Sequence, residues 1–161
     1  MEEPLGRVTP RPGGGARLVA GPIQRMLLGR LLDRLDARLD VEDPTTKRLF
    51  PPAYPDDADA EADFRAMARG ELLDVRHEAI ATVRPTLYAE ELDAVQTAAW
   101  LGVLNDLRLV IGTEIDVKQD LGEIPDEDDP RHQGFIEYVF LGWLVEQFVD
   151  VLAEGLDKEP G

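Results

Sequence analysis

Three polar side chains interrupt the most apolar stretch of the chain, and they are the first candidates for chemistry. Asn105, Asp106 and Arg108 stand among leucine, valine and isoleucine residues. A carboxylate held in apolar surroundings can act as a general base or bind a ligand. A buried charge is costly without a partner, however, and residues two apart on a helix point in different directions. Solvent exposure and a cap on a neighbouring helix or loop therefore remain alternatives to an enzyme or small-molecule pocket.

No other residues complete a catalytic or metal-binding signature. The chain has no cysteine, which excludes a disulfide, a thiolate zinc site and a cysteine nucleophile. The segment HEAIA, which begins at His77, lacks the second histidine that a zinc-protease helix carries four residues later. Acidic residues from Asp126 to Glu137 suggest a calcium loop, but Pro130 and Arg131 stand where a ligand and the turn glycine belong. The sequence therefore predicts no catalytic residue, no metal and no cofactor.

A second set of candidates consists of arginines at helical spacing in the first third of the chain. Arg30, Arg34 and Arg38 are four residues apart and would line one face of a helix. That face could contact an acidic partner, or, interleaved with aspartates, it could be a solvated helix surface. Together with arginines of the N-terminal segment it could also bind DNA, and the full set would be Arg7, Arg11, Arg17, Arg30, Arg34 and Arg38.

The net charge of −16 at pH 7 weighs against DNA as a direct partner. The first 48 residues carry slightly more basic than acidic side chains, and the rest of the chain carries nearly all the negative charge. An acidic body repels a phosphate backbone and favours basic protein surfaces. The charge therefore favours a protein partner over a nucleic acid.

Neither a targeting signal nor a membrane segment is apparent. The N-terminal sequence MEEPLGRVTPRPGGG lacks the apolar core of a signal peptide. The longest wholly apolar run extends from Tyr138 to Val145, well short of the roughly 20 residues that a membrane helix needs. These observations predict a cytoplasmic protein without membrane contact.

The elements that must position these residues are predicted to form a mainly α fold. We expect a bundle of about four principal helices with a small N-terminal β-hairpin, in one domain over residues 1–161. The predicted parts are a hairpin arm at 1–20, a first helix at 22–40, an extended acidic linker at 50–63, and a helical core at 71–156 with a mobile loop at 118–130. Surplus apolar surface on the last two helices would also allow a homodimer.

The spacing of apolar residues predicts which helix faces are buried. Residues 88–117 are expected to form one central helix that carries Trp100 into the core. A preceding helix, at 71–84, should turn these residues inward: Leu72, Val75, Ala79 and Val83. The last helix, at 131–155, should bury Phe135, Ile136, Val139, Phe140, Trp143, Leu144, Phe148, Val151 and Leu152.

Several stretches together resemble a family of small actinobacterial proteins known as a domain of unknown function. They are the N-terminal hairpin, DPTTKRLFPPAYPDD, AAWLGVLNDLRLVIGT and YVFLGWLVEQFVDVL. The motifs RLFPPAY and WLGVLNDLRLVIG carry most of the resemblance, and the anchor positions in them are Arg48, Leu49, Phe50, Pro51, Pro52, Tyr54 and Trp100. The AosR-like group of this family is described as regulating the oxidative-stress response together with a stress sigma factor.

The resemblance implies a cytoplasmic interaction or regulatory protein that acts on transcription through a protein partner, such as a sigma factor or RNA polymerase. The chain departs from that picture because it has no cysteine with which to sense oxidation through a disulfide. The resemblance supplies no catalytic residues. An enzyme with a pocket near Asp106, and direct DNA binding, remain the alternatives.

Overall fold

Four helices and a small sheet make up the part of the chain that the structure describes. The computed structural model describes residues 6–41, 44–115 and 125–157, and for residues 47, 48, 156 and 157 it describes the backbone only. The helices are α1 Pro22–Leu39, α2 Ala58–Val83, α3 Ala94–Glu114 and α4 His132–Asp157. The strands are β1 Arg7–Pro10, β2 Ala16–Val19 and β3 Glu91–Leu92, and short 3-10 turns lie at Pro44–Leu49 and Arg84–Thr86. The predicted mainly α fold with four principal helices is confirmed.

The N-terminal hairpin is part of a three-stranded antiparallel sheet in the order β1-β2-β3. Strands β1 and β2 pair as predicted, with Val8 opposite Leu18. The third strand lies in the segment that was predicted to begin the central helix, and there Leu92 pairs with Ala16. Gly15 has a positive φ of 88° and packs so closely on the Leu92 carbonyl that an added Cβ would clash with it. Close backbone contact between β2 and β3 therefore requires glycine at this position.

The central helix α3 begins six residues later than predicted. Asp93 caps its first turn by accepting a hydrogen bond from the Gln96 amide, and the Gln96 side chain accepts one from the Asp93 amide. This reciprocal cap fixes the start of the helix and leaves the residues before it free to join the sheet. The prediction of a helix from 88 was therefore wrong, and residues 116 and 117 lie outside the described part of the chain.

Helix α2 is longer than predicted, and only the second half of its predicted apolar stripe is buried. It begins at Ala58 after the cap residue Asp57, so the predicted linker at 50–63 ends in helical turns from 58 onward. Val83 is buried and Ala79 is partly buried, as predicted, and Ile80 joins them. The prediction that Leu72 and Val75 point inward was wrong, because both are exposed.

Helices α3 and α4 pack against each other along most of their length. Trp100 on α3 is 1% exposed, and its ring stacks on Phe148 of α4 with centroids 5.9 Å apart. Three residues of α4 that were predicted to be buried are instead on its outer face: Ile136, Val139 and Trp143. Residues 118–124 of the predicted loop at 118–130 lie outside the described residues. Residues 125–130 form turns and irregular backbone. None of the described helices is both long and apolar enough to span a membrane.

Arg25 joins the sheet to the helices from a buried position on α1. Its guanidinium donates hydrogen bonds to four backbone carbonyls, those of Leu18, Ala20, Leu87 and Ala89, at 2.8–3.1 Å. We expect Arg25→Lys to lower the free energy of unfolding by about 2 kcal/mol, because an ammonium cannot reach four acceptors that a planar guanidinium spans. Urea unfolding would measure this. Arg30→Lys on the exposed side of the same helix is the control and should change stability by less than about 0.5 kcal/mol.

Candidate functional site

The three polar residues of the central helix do not converge on one site. Asn105 is exposed, Asp106 is buried, and Arg108 lies between these extremes. The Arg108 guanidinium lies over the Tyr138 ring at 5.1 Å from its centroid and packs beside Gly142 of α4. Asp106 faces the opposite neighbour, helix α2. Their separate directions agree with the expectation that residues at this spacing cannot serve each other.

Asp106 is held by an arginine that the sequence analysis did not single out. Arg76 of α2 donates from Nη1 to the Asp106 carboxylate at 2.7 Å and from Nη2 to the Leu49 carbonyl at 2.8 Å. Burial raises the pKa of Asp106 above its ordinary value, and the charge and hydrogen bond of Arg76 oppose that rise. The pair therefore satisfies a buried carboxylate and joins α3, α2 and the 3-10 turn at Pro44–Leu49.

The ion pair lies beside an aromatic ring. Phe50 packs beneath two guanidiniums, those of Arg69 and Arg76, at 5.0 and 5.4 Å from its ring centroid. A cavity of about 20 Å³ on the Arg69 side of this ring is lined by neither Asp106 nor Arg76. Asp106 and Arg76 thus form a structural contact between α3 and α2.

The residues of the two sequence motifs meet at this contact and at the Trp100 stack. Leu49 and Phe50 are buried under Arg76, and Trp100 donates a hydrogen bond to the Thr86 hydroxyl at 2.7 Å. Pro51, Pro52 and Tyr54 are exposed, and the Tyr54 ring meets Phe64 edge to face. The side chain of Arg48 lies outside the described residues. The buried motif residues therefore anchor the 3-10 turn and the core.

The arginine face of α1 is largely engaged within the protein. Arg34 binds Glu114 of α3 at 2.9 Å and Glu137 of α4 at 3.0 Å, and Arg38 also pairs with Glu114. Arg30 is exposed. Two of the three residues predicted to contact a partner thus fasten α1 to the other helices, and Arg30 remains open to solvent.

The arginines of the hairpin are also near acidic groups. Arg17 binds Glu91 of β3 at 3.0 Å, and Arg11 lies 3.7 Å from the same carboxylate. Arg7 is exposed. Four of the six arginines that could have formed a DNA-binding surface therefore lie against Glu91, Glu114 or Glu137, and the other two, Arg7 and Arg30, are exposed.

The outer face of α4 presents a stripe that is apolar at one end and acidic at the other. Ile136, Val139 and Trp143 are 41%, 37% and 47% exposed, and their spacing of three and four residues places them on one face. Glu146 and Asp150 continue this face and are also exposed. We call these five residues the α4 stripe. Trp143 is held in place by a hydrogen bond to the Gly6 carbonyl at 2.9 Å.

A further cluster lies between α1 and α2. His77 of α2 stands between two carboxylates of α1, with Asp36 3.2 Å from Nδ1 and Asp40 3.1 Å from Nε2. Asp36 also faces Arg84 at 3.4 Å. His77 has no predicted role, because the segment HEAIA lacks a second histidine four residues later. The acidic residues come from a different helix, which only the fold brings near.

Comparison with known families accounts for the two motifs. A family model described as a domain of unknown function, DUF2017, matches residues 7–152. The chain belongs to this family. The DUF2017 match includes β1 to β3 and all four helices, with only the last turn of α4 beyond it. No solved structure shows a significant match to this DUF2017 chain.

A protein of Mycobacterium leprae (strain TN) named "Putative oxidative stress regulator AosR" is similar to this DUF2017 chain. The two are 30% identical over 125 residues, which amount to 67% of this chain and 58% of the relative. The chain therefore spans less than two thirds of the length of that relative. The predicted membership of an uncharacterised family related to AosR is confirmed.

Proposed function

We propose that this DUF2017 protein is a cytoplasmic regulatory protein that acts by binding a protein partner through the α4 stripe. The observation that carries the proposal is the exposure of Ile136, Val139 and Trp143 in one row, continued by two acidic residues. Aromatic and aliphatic side chains exposed in a row are typical of protein-interaction sites. The name of the relative from Mycobacterium leprae supports a regulatory role.

The chemistry of the stripe favours a partner with apolar side chains beside lysine or arginine. Its apolar end would be covered by the partner, and Glu146 and Asp150 would steer basic groups toward it. A net charge of −16 adds a long-range attraction to a basic surface. The partner expected from the resemblance is a stress sigma factor or another subunit of RNA polymerase.

A pairwise binding measurement with purified components tests this proposal. The protein would be titrated with each stress sigma factor of its own host, and with core RNA polymerase, at moderate salt. Val139→Asp should reduce the affinity at least tenfold by placing a charge in the apolar contact. Val75→Asp is the matched control, because Val75 is an exposed valine on α2, and it should bind like the wild type.

Two outcomes would contradict the proposal. Equal loss in both valine variants would mean that the stripe is not the contact, and no binding to any of these proteins would remove the sigma-factor partner. Arg30→Glu tests the arginine face separately, since Arg30 is exposed whereas Arg34 holds α3 and α4. Loss of binding in that variant alone would move the contact to α1.

The alternatives of an enzyme and of direct DNA binding have less support. The Asp106 carboxylate is paired with Arg76, and Arg11, Arg17, Arg34 and Arg38 face acidic residues. We therefore propose no catalytic role for the polar residues of α3. A labelled DNA duplex that shifts at low salt, with affinity that falls steeply as salt rises, would restore the DNA alternative.

A further inference from the structure

The cluster between α1 and α2 combines the donor atoms that transition metals prefer. Asp36 and Asp40 are one turn apart on α1, and His77 faces both from α2. One donor atom from each of the three lies within 4.8 Å of the other two. A tetrahedral ion with bonds of about 2.1 Å holds its ligands about 3.4 Å apart, so Asp40 would have to move from Nε2 towards an ion bound at Nδ1 beside Asp36 to close the site. Asp40, whose side chain is 68% exposed, has freedom to make that movement.

The imidazole of His77 lies between two carboxylates, an arrangement that a cation would stabilise. Each ring nitrogen of His77 faces a carboxylate oxygen, at 3.2 and 3.1 Å. A neutral imidazole has only one N–H, so its other nitrogen would direct a lone pair at an anion. Either a second proton or a metal ion bound between that nitrogen and the carboxylates removes this repulsion.

The charges around the cluster match those of a divalent ion. Asp33 and Arg84 also belong to the cluster, since Arg84 lies 2.6 Å from Asp33 and 3.4 Å from Asp36. Three carboxylates and one guanidinium leave two negative charges when His77 is neutral. A proton on His77 neutralises only one of them, whereas a divalent ion neutralises both.

The cluster is also accessible. A groove of about 490 Å³ runs beside it and is lined by Asp36, His77, Ile80, Ala81, Arg84 and Pro85. Its opening allows an ion to enter and leaves room for water to complete the coordination. A catalytic or open metal site keeps such free positions, whereas a structural site is closed by protein ligands.

We propose that Asp36, Asp40 and His77 form a binding site for a divalent transition-metal ion, which bridges α1 and α2. One imidazole nitrogen and two carboxylates suit zinc, manganese or cobalt, while magnesium and calcium prefer sites made of oxygen alone. Arg84 holds the outer oxygen of Asp36 and so fixes the direction of that ligand. An ion at this place would bind the folded protein and not the unfolded chain, and would raise its melting temperature.

Nitrogen-15 NMR of the two histidine rings in tag-free protein gives the sharpest test. The chain contains only His77 and His132, so each ring can be followed separately. Adding Zn²⁺ at pH 7 should shift the ring nitrogens of His77 and leave those of His132 unchanged. The melting temperature should rise by about 5 °C at Zn²⁺ well above its dissociation constant, and millimolar Mg²⁺ should leave it unchanged.

Matched variants separate this site from general attraction of cations to an acidic protein. His77→Gln should abolish the thermal shift, and Asp40→Asn should weaken zinc binding at least tenfold. Asp63→Asn removes the same charge from an exposed position of α2 away from the cluster, and His132→Gln removes the other imidazole; both should retain wild-type affinity. Equal binding by wild type and His77→Gln would overturn the proposal. So would a His77 ring that stays protonated and unshifted, which would assign the arrangement to an imidazolium ion pair.

Discussion

Trp100→Ala is expected to lower the free energy of unfolding by about 3–5 kcal/mol, the range for removing a large aromatic side chain from a core. The ring is 1% exposed, stacks on Phe148 and donates to the Thr86 hydroxyl. Its loss would leave a cavity between α3 and α4 and would remove one of the two hydrogen bonds of the Thr86 hydroxyl, which still donates to the Val83 carbonyl. Denaturant unfolding followed by circular dichroism measures the change, because a tryptophan signal would be lost with the residue.

Trp143→Ala is the control for that measurement, because it removes the same side chain from a half-exposed position. It should lower stability by about 1 kcal/mol, since about half of the side chain is already exposed and one hydrogen bond to Gly6 is lost. Trp100→Phe should fall between the two variants, because it keeps an aromatic ring on Phe148. If Trp100→Ala and Trp143→Ala unfold alike, Trp100 does not anchor the core.

Arg76→Met is expected to lower the free energy of unfolding by about 3–5 kcal/mol at pH 7, because it leaves Asp106 buried without its counter-charge. It also removes the donor to the Leu49 carbonyl and one of the two cations over Phe50. Arg65→Met on the same helix is the control, since Arg65 is exposed and pairs with Glu61 one turn away on the same helix. Its effect should stay below about 0.5 kcal/mol.

The cost of Arg76→Met should depend on pH in a definite direction. Burial already raises the pKa of Asp106, and removing Arg76 removes the charge and the hydrogen bond that oppose this rise. A raised pKa in the folded state contributes stability below the ordinary aspartate pKa, and that stability is lost as pH rises through the raised value. The variant should therefore lose less at pH 4 than at pH 7. A loss that is equal at both values would show that Asp106 is not responsible.

A second substitution at Asp106 would identify the source of the loss. Arg76→Met combined with Asp106→Leu replaces the ion pair by apolar side chains and should recover most of the stability. The two single changes should then be non-additive by about 2 kcal/mol, as expected for residues in direct contact. Additive effects would mean that Arg76 acts through Leu49 and Phe50 and not through the aspartate.

The helices could be predicted because their signals are local. Pro22 at the first turn and the apolar stripe after it defined α1, whose predicted and observed bounds differ by one residue. The predicted start of α3 was too early, although Asp93 and Gln96 form a recognisable cap, because the residues before the cap, Ala89 to Leu92, are also good helix formers. β3 has only two residues and owes its existence to pairing with β2, which no local pattern reveals.

The polar contacts could not be predicted, because their partners are far apart along the chain. Asp106 clearly needed a counter-charge, yet the sequence has many arginines and only packing selects Arg76, which is 30 residues away. The same holds for His77 with Asp36 and for Arg34 with Glu137. The exposed row on α4 was predicted to be buried, because apolar residues have the same periodicity on an exposed helix face as on a buried one.

The docking of the hairpin on the last helix bears on how the chain is made. The Val8 amide donates to the Gln147 side chain at 2.8 Å, and 139 residues separate the two. Val8 is synthesised early, but its acceptor appears only after α3 and half of α4. At about 5–20 residues per second, roughly 7–30 s pass before this contact can form. β2 follows β1 at once and covers one edge of it, but until α4 is made the Val8 amide on the other edge lacks this acceptor. Premature strand pairing between nascent chains at that edge is the hazard that this connectivity creates.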